Sequence, residues 1–176
     1  MRILGIDPGL NITGYGVIDD RTFKVVEAGV IKTRARTPVQ DRLRKIFEAI
    51  SDIIAEHKPG VLVLEKIYSH YKHPTTSILM GHARGAVCLA CGLYDIRLIN
   101  YPSTRIKKAI TGNGHASKLQ VQRMVQDLLN LEDPPEPVDV SDALAMAISY
   151  CFIEKRKAWP PARYAQTGRR GQGVII

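Results

Sequence analysis

Four acidic residues, widely separated in the chain, have the clearest potential for chemistry. Asp7 and Glu65 each end an apolar run that is typical of a buried strand. Asp139 and Asp142 lie three residues apart, so both project from one face of the first turn of a predicted helix. A carboxylate at the end of a buried strand is costly unless a cation or a phosphate-bearing ligand compensates its charge.

Each of these acidic residues also has an ordinary structural interpretation. Asp7 precedes Pro8-Gly9, so its side chain could cap a turn, or the hairpin could wrap nucleotide phosphates as in actin-like ATPases. Asp139 and Asp142 could simply favour a helix N-terminus because of the helix dipole. These alternatives and a metal-binding role are all compatible with the local sequence.

If the four carboxylates meet in space, they repel one another and raise one another's pKa unless cations offset them. Two Mg²⁺ ions would balance four carboxylates, with Mn²⁺ as a plausible substitute, because oxygen-only donors suit these hard cations. Two such ions can activate a water and stabilise the leaving oxygen at a phosphodiester. The constellation therefore predicts a metal-dependent nuclease.

The size and charge of the chain favour the nuclease over the ATPase. The 176 residues suffice for one domain, whereas an actin-like ATPase needs two domains and a second phosphate hairpin. A formal net charge of +8 and a pI near 9.5 favour a polyanionic partner, with nucleic acid the leading candidate.

The sequence also predicts where the protein is found. The first residues lack a signal-peptide pattern, and no apolar run approaches the roughly eighteen residues that span a bilayer. Three cysteines fit a reducing compartment, and Cys88 and Cys91 are expected to be inert thiols on a helix. We therefore expect a cytoplasmic protein with no membrane partner.

The periodicity along the chain predicts an α/β fold with helices on both faces of a sheet. Strands are predicted over 3–6, 14–18, 23–31, 61–65 and 96–101, and helices over 38–56, 75–92, 102–110, 118–131 and 139–154. Residues 1–154 form the predicted nuclease domain. Residues 155–176 carry six Lys and Arg and no acidic residue, which predicts a basic, flexible tail.

These residues and their spacing resemble the RuvC family of Holliday-junction resolvases. The likeness is carried by Gly5-Ile6-Asp7-Pro8-Gly9, Thr13-Gly14-Tyr15-Gly16, Glu65, Gly112-x-Gly114-x-Ala116-x-Lys118 and Asp139-x-x-Asp142-Ala143-Leu144-Ala145. The resemblance implies a ribonuclease H-like fold whose five-stranded mixed sheet has three antiparallel strands followed by two parallel ones. It also implies a Mg²⁺-dependent endonuclease that makes paired symmetric nicks in a four-way DNA junction, in recombination and repair. Catalysis and metal binding would fall to Asp7, Glu65, Asp139 and Asp142.

The resemblance assigns further residues to DNA binding and assembly. Lys107 and Lys118 match basic positions near the cut strand, and Tyr68 falls where the family has an aromatic that wedges into the junction. The helix over 75–92 matches the family's dimer helix, and its glycines Gly81 and Gly85 would permit a close helix neighbour. A homodimer working with a branch-migration helicase complex of the RuvA and RuvB type is implied.

Two other functions stay open at this point. The same fold could cut another substrate, such as an RNA–DNA hybrid or flapped DNA. A noncatalytic protein could bind four-way junctions and retain the acidic residues as structure.

Overall fold

A computed structural model describes residues 1–66 and 74–154, which form a five-stranded sheet with helices on both faces. The strands are β1 (Arg2–Asp7), β2 (Ile12–Asp19), β3 (Val25–Lys32), β4 (Val61–Glu65) and β5 (Arg97–Tyr101). The helices are α1 (Val39–His57), α2 (Pro74–Leu93), α3 (Ser103–Thr111), α4 (Lys118–Leu129) and α5 (Val138–Ile153). The predicted elements are confirmed, with ends that differ by at most two residues.

The sheet has the strand order β3-β2-β1-β4-β5, as expected for the mixed sheet predicted above. β2 pairs antiparallel with both β1 and β3, whereas β4 pairs parallel with both β1 and β5. Parallel neighbours need a crossover connection, and α1 and α2 supply the two crossovers. The carboxyl ends of β1 and β4 therefore lie at the same edge of the sheet.

The alternation of side chains along the strands creates two cores, one on each face. Leu4, Ile6, Leu62 and Leu64 pack with α1 and α2 on the first face. Ile3, Val61 and Val63 pack with α3, α4 and α5 on the second face. Because Asp7 and Glu65 continue the alternation of the second set, their side chains belong to the α5 face.

Glycines on β1 and β2 let α5 approach the sheet at backbone contact distance. A Cβ at Gly5 would lie 2.0 Å from the carbonyl oxygen of Ala143, and one at Gly14 would lie 2.1 Å from that of Asp139. Gly16, which pairs with Gly5, faces the side chain of Leu144. No larger residue fits at these positions without pushing the helix outward, so the glycines set the depth of α5.

The helix α2 differs from the other helices in its exposed apolar surface. Its stretch Thr75–Leu93 is long and apolar enough to cross a membrane by length and composition, which the sequence analysis did not anticipate. However, Ala83, Val87 and Ala90 are fully buried against the sheet, and Arg84 lies in the middle of the stretch. An arginine at mid-membrane depth is costly, so these contacts are those of a helix packed on a domain.

Three further predictions concern the cysteines, Tyr68 and the tail after residue 154. Cys88 and Cys91 are free thiols on α2, and burial raises the pKa of Cys91 to about 11, as expected for inert groups. Tyr68 lies outside the described residues. The tail over 155–176 also lies outside them, so the predicted boundary after residue 154 stays a prediction.

The close approach of α5 predicts the effect of adding one methyl group. Gly5→Ala should lower the free energy of unfolding by about 3 kcal/mol, because the new Cβ collides with helix backbone that cannot rotate away. Urea unfolding measures this change. Gly60→Ala is the control, since a Cβ there meets only the flexible side chain of Met1. Equal stability of the two variants would contradict this account of α5.

Candidate active site

Asp7 and Glu65 lie side by side at the carboxyl ends of the two central strands. The last paired residues of β1 and β4 are Ile6 and Leu64, and the two acidic residues follow one position further along each strand. Both strands are apolar and buried up to that point, so the burial of the strands determines where along the sheet the two carboxylates lie. Strand pairing thus places together two residues that are 58 positions apart in the sequence.

The first turn of α5 brings the other two acidic residues to the same place. Asp139 lies in the first turn of this helix and Asp142 follows three residues later, and the helix backbone at Asp139 lies directly against Gly14. Gly14 is the partner of Asp7 in the antiparallel pair of β1 and β2. The absence of a side chain at Gly14 therefore allows the start of α5 to lie over Asp7.

The electrostatics of Asp7 indicate that the other three carboxylates lie near enough to act on it. Burial is the largest cause, and together with the negative charges of Asp142, Asp139 and Glu65, in that order, it raises the pKa of Asp7 to about 7. Lys118 is the cation that opposes this rise. The pKa of Asp7 near neutrality therefore reflects burial first and the surrounding acidic residues second.

Glu65 shares this environment but receives more compensation. Burial raises its pKa, and the charge of Asp142 acts in the same direction. A hydrogen bond from the Ser103 side chain and the charges of Lys107 and Lys118 lower it. Ser103 was missed by the sequence analysis, although a serine at the start of a helix that follows a strand of this sheet is a signal that could have identified it.

The two lysines predicted from the resemblance lie beside the carboxylates. Lys118 Nζ is 3.4 Å from Asp142 Oδ2, and the Lys118 side chain is 76% exposed. A capping box between Ser117 and Gln120 fixes the start of α4, the helix that Lys118 begins. Lys107 is half-buried on α3, close enough to act on Glu65. Both cations border the site from the side of α3 and α4.

Among the described residues, the one group of potential metal ligands whose ligand atoms all lie close together is on the opposite face of the sheet. Ligand atoms of Glu27, Glu56 and His57 lie within 4.8 Å of one another. Glu27 accepts hydrogen bonds from Tyr15 Oη at 2.6 Å and is also paired with His57 Nε2. These bonds lower the pKa of Glu27 and connect β3 to the end of α1, which explains the group as a structural contact.

Comparisons with known proteins agree on one family. The sequence model described as crossover junction endodeoxyribonuclease RuvC matches residues 3–150. The protein of that name from Rhodopirellula baltica is 50% identical over 151 residues, which cover 85% of this chain and 84% of the relative. The structure of Thermus thermophilus RuvC has a TM-score of 0.80 at 28% identity and covers 96% of this chain and 97% of that one. T. thermophilus RuvC in complex with Holliday junction substrate has a TM-score of 0.81 at 28% identity, over 89% of this chain and 96% of that one.

The mixed sheet, with acidic residues gathered at one end of its two central strands, defines a ribonuclease H-like α/β protein with a carboxylate-rich site. Within this class of protein, the family model that matches residues 3–150 and the relative at 50% identity identify one family. The chain belongs to the RuvC family of crossover junction endodeoxyribonucleases, which are hydrolases that act on DNA.

The raised pKa of Asp7 predicts a pH-dependent stability in metal-free solution. The folded state holds the Asp7 proton up to about pH 7, whereas the ordinary value is 3.8, so this stabilisation falls as the pH rises through that window. At roughly 1.4 kcal/mol per pKa unit, the upper limit of the loss is about 4 kcal/mol. Asp7→Asn cannot ionise and should be more stable than the wild type at pH 8.

Thermal unfolding in EDTA at pH 5 and pH 8 measures this difference. The advantage of Asp7→Asn should grow between the two pH values. Asp52→Asn, at an exposed position of α1, is the control, and its stability should match that of the wild type at both pH values. An Asp7→Asn variant that is less stable than the wild type at pH 8 would contradict the crowding of the carboxylates.

Proposed function

We propose that this protein resolves four-way DNA junctions by cutting two strands of like polarity at symmetric positions. The observation that carries the proposal is its likeness, over 89% of the chain, to T. thermophilus RuvC in complex with Holliday junction substrate. The net charge of +8 supports a polyanionic substrate. The reaction is hydrolysis of one phosphodiester per subunit, with 5′-phosphate and 3′-hydroxyl products.

In this proposal Asp7, Glu65, Asp139 and Asp142 hold two Mg²⁺ ions. The donor set supports this, since all four residues offer carboxylate oxygens, which hard cations prefer to nitrogen or sulfur donors. The negative charges of Asp142, Asp139 and Glu65, which add to burial in raising the pKa of Asp7, are the charges that divalent cations would offset. When bound, the two ions would supply an activated water and stabilise the leaving oxygen. Mn²⁺ is expected to substitute.

The cationic side chains have a separate role in the proposal. Lys118 is exposed and contacts Asp142 at a distance of 3.4 Å, so it can turn to a DNA phosphate without losing a buried contact. Lys107 would hold the backbone of the cut strand from the side of α3. Tyr68 would stack on a base at the junction centre, where such stacking contributes roughly 1–3 kcal/mol per base.

We also propose that two copies pair through α2. A stripe along this helix is apolar or small and faces outward, and it comprises Ile78, Gly81, Gly85, Leu89 and Leu93. Among the described residues no atom lies within 4 Å of a Cβ built at Gly81 or Gly85, so a second helix can approach closely there. A two-fold dimer on a four-way junction addresses two strands at once, which a single subunit cannot do.

Partners and compartment follow from this activity. The family resemblance implies a branch-migration complex of the RuvA and RuvB type as the expected partner. The compartment that holds the DNA is the expected location, and we propose that this is the cytoplasm.

If Asp7 is a metal ligand, its loss should reduce DNA cleavage without reducing DNA binding. Asp7→Asn should reduce the rate of junction cleavage by at least about 100-fold, the upper end of what loss of a residue supporting a metal ligand costs. Junction affinity should be unchanged or higher, because the substitution removes negative charge from a basic protein. Denaturing gels and binding titrations at fixed salt measure the two quantities, with Asp52→Asn as the matched control.

The substrate is tested with the same gels. Mapping both nicks on a synthetic mobile four-way junction should give symmetric cuts, with little cutting of linear duplex, flapped DNA or RNA–DNA hybrid at equal salt. Preferred cutting of the hybrid or flap would replace the proposed substrate. Tight junction binding with no nicks at any Mg²⁺ or Mn²⁺ concentration would indicate a noncatalytic binder.

The proposed dimer is tested by placing a charge on the exposed stripe. Leu89→Asp should weaken association more than about 100-fold, because two like charges would be desolvated against each other across the two-fold axis. Sedimentation velocity measures the change, and paired nicks should be lost with it. Val39→Asp, at the exposed start of α1, should leave the dimer intact. A Leu89→Asp variant that sediments as the wild type would contradict this interface.

A further inference from the structure

Arg84 connects α2 to the strand that carries Glu65. From the middle of α2, Arg84 Nη1 donates to the main-chain carbonyl oxygen of Glu65 at 2.7 Å. Arg84 Nη2 donates to the side-chain oxygen Oδ1 of Asn100 on β5. One half-buried guanidinium thus joins the ends of two parallel strands.

These bonds lie where the regular sheet stops. Glu65 is the last residue of β4, and the amide of Lys66 makes one more bond to the carbonyl oxygen of Tyr101, at 2.8 Å. Beyond a strand end, the main chain keeps its position only through bonds to other elements. The rigid fork of arginine is well suited to fixing two acceptors relative to each other, and lysine cannot match it.

Arg84 acts on the main chain of Glu65, and other cations act on its carboxylate. The charges that lower the pKa of Glu65 are those of Lys107 and Lys118, on the α5 face. Arg84 belongs to α2, which packs on the opposite face of the sheet. Arg84 therefore contacts the main chain of Glu65 from the α2 face of the sheet, and it leaves the carboxylate oxygens of Glu65 available to ligands.

We infer that Arg84 is a positioning residue that holds Glu65 in place and makes the acidic site sensitive to the placement of α2. The inference rests on the proposed function, because Glu65 matters here as a metal ligand. Arg84 is adjacent to Gly85, which belongs to the exposed stripe through which two copies are proposed to pair. A partner helix on that stripe would fix α2, and Arg84 would pass this constraint to Glu65.

The test uses the full-length protein and a synthetic four-way junction. Arg84→Ala should lower kcat at saturating junction by about 10–100-fold, the usual cost of losing a residue that orients a metal ligand. The Mg²⁺ concentration for half-maximal rate should rise, while junction affinity measured without metal should match that of Arg44→Ala. Arg44 is an exposed arginine on α1 whose loss removes the same charge. Arg84→Lys should recover part of kcat, because it keeps the charge and one donor.

The possible outcomes distinguish failure of the proposed function from failure of the positioning role of Arg84. If the wild type cuts no junction, the proposed function fails. If the wild type cuts and folded Arg84→Ala has an unchanged kcat and Mg²⁺ dependence, the positioning role is wrong. A loss confined to junction affinity would overturn it as well, since Arg84 would then be a DNA contact. Should Arg84→Ala not fold, Arg84→Lys decides, and wild-type kcat and Mg²⁺ dependence in that variant would refute the role of the fork.

Discussion

The contact between α5 and the two strands β1 and β2 is the constraint on which the rest of this structure depends. Gly5 and Gly14 permit the helix backbone to lie against the sheet, and at that depth the first turn of α5 meets the end of β1. The helix beyond that turn is almost entirely buried and cannot retreat without opening the core. Packing energy therefore holds acidic side chains together that would otherwise separate, and the raised pKa of Asp7 records this cost.

Much of the site follows from the sequence because its components are local. Apolar runs that end in Asp7 and Glu65 define strand ends, and the spacing of Asp139 and Asp142 defines one face of a helix turn. The family resemblance supplied what local patterns do not, namely that these parts converge and that Lys107 and Lys118 lie nearby. The bonds of Ser103 and Arg84 to Glu65 were not predicted, since they depend on where α2 and α3 pack relative to a strand end.

The structure also separates two carboxylate groups that composition alone would treat alike. Glu27 is hydrogen-bonded by Tyr15 and paired with His57, so its carboxylate is already used in joining β3 to α1. Burial and the nearby charges of Asp142, Asp139 and Glu65 raise the pKa of Asp7, with Lys118 as the opposing cation. The difference in pKa direction, lowered at Glu27 and raised at Asp7, distinguishes a structural ion pair from a site with unbalanced negative charge.

The most direct test of this account is a crystal structure of the protein with Mn²⁺, using the anomalous signal of the metal to locate it. The account predicts anomalous peaks among the carboxylates of Asp7, Glu65, Asp139 and Asp142, at the carboxyl ends of β1 and β4. Peaks confined to Glu27, Glu56 and His57, with none beside Asp7 at saturating Mn²⁺, would contradict it.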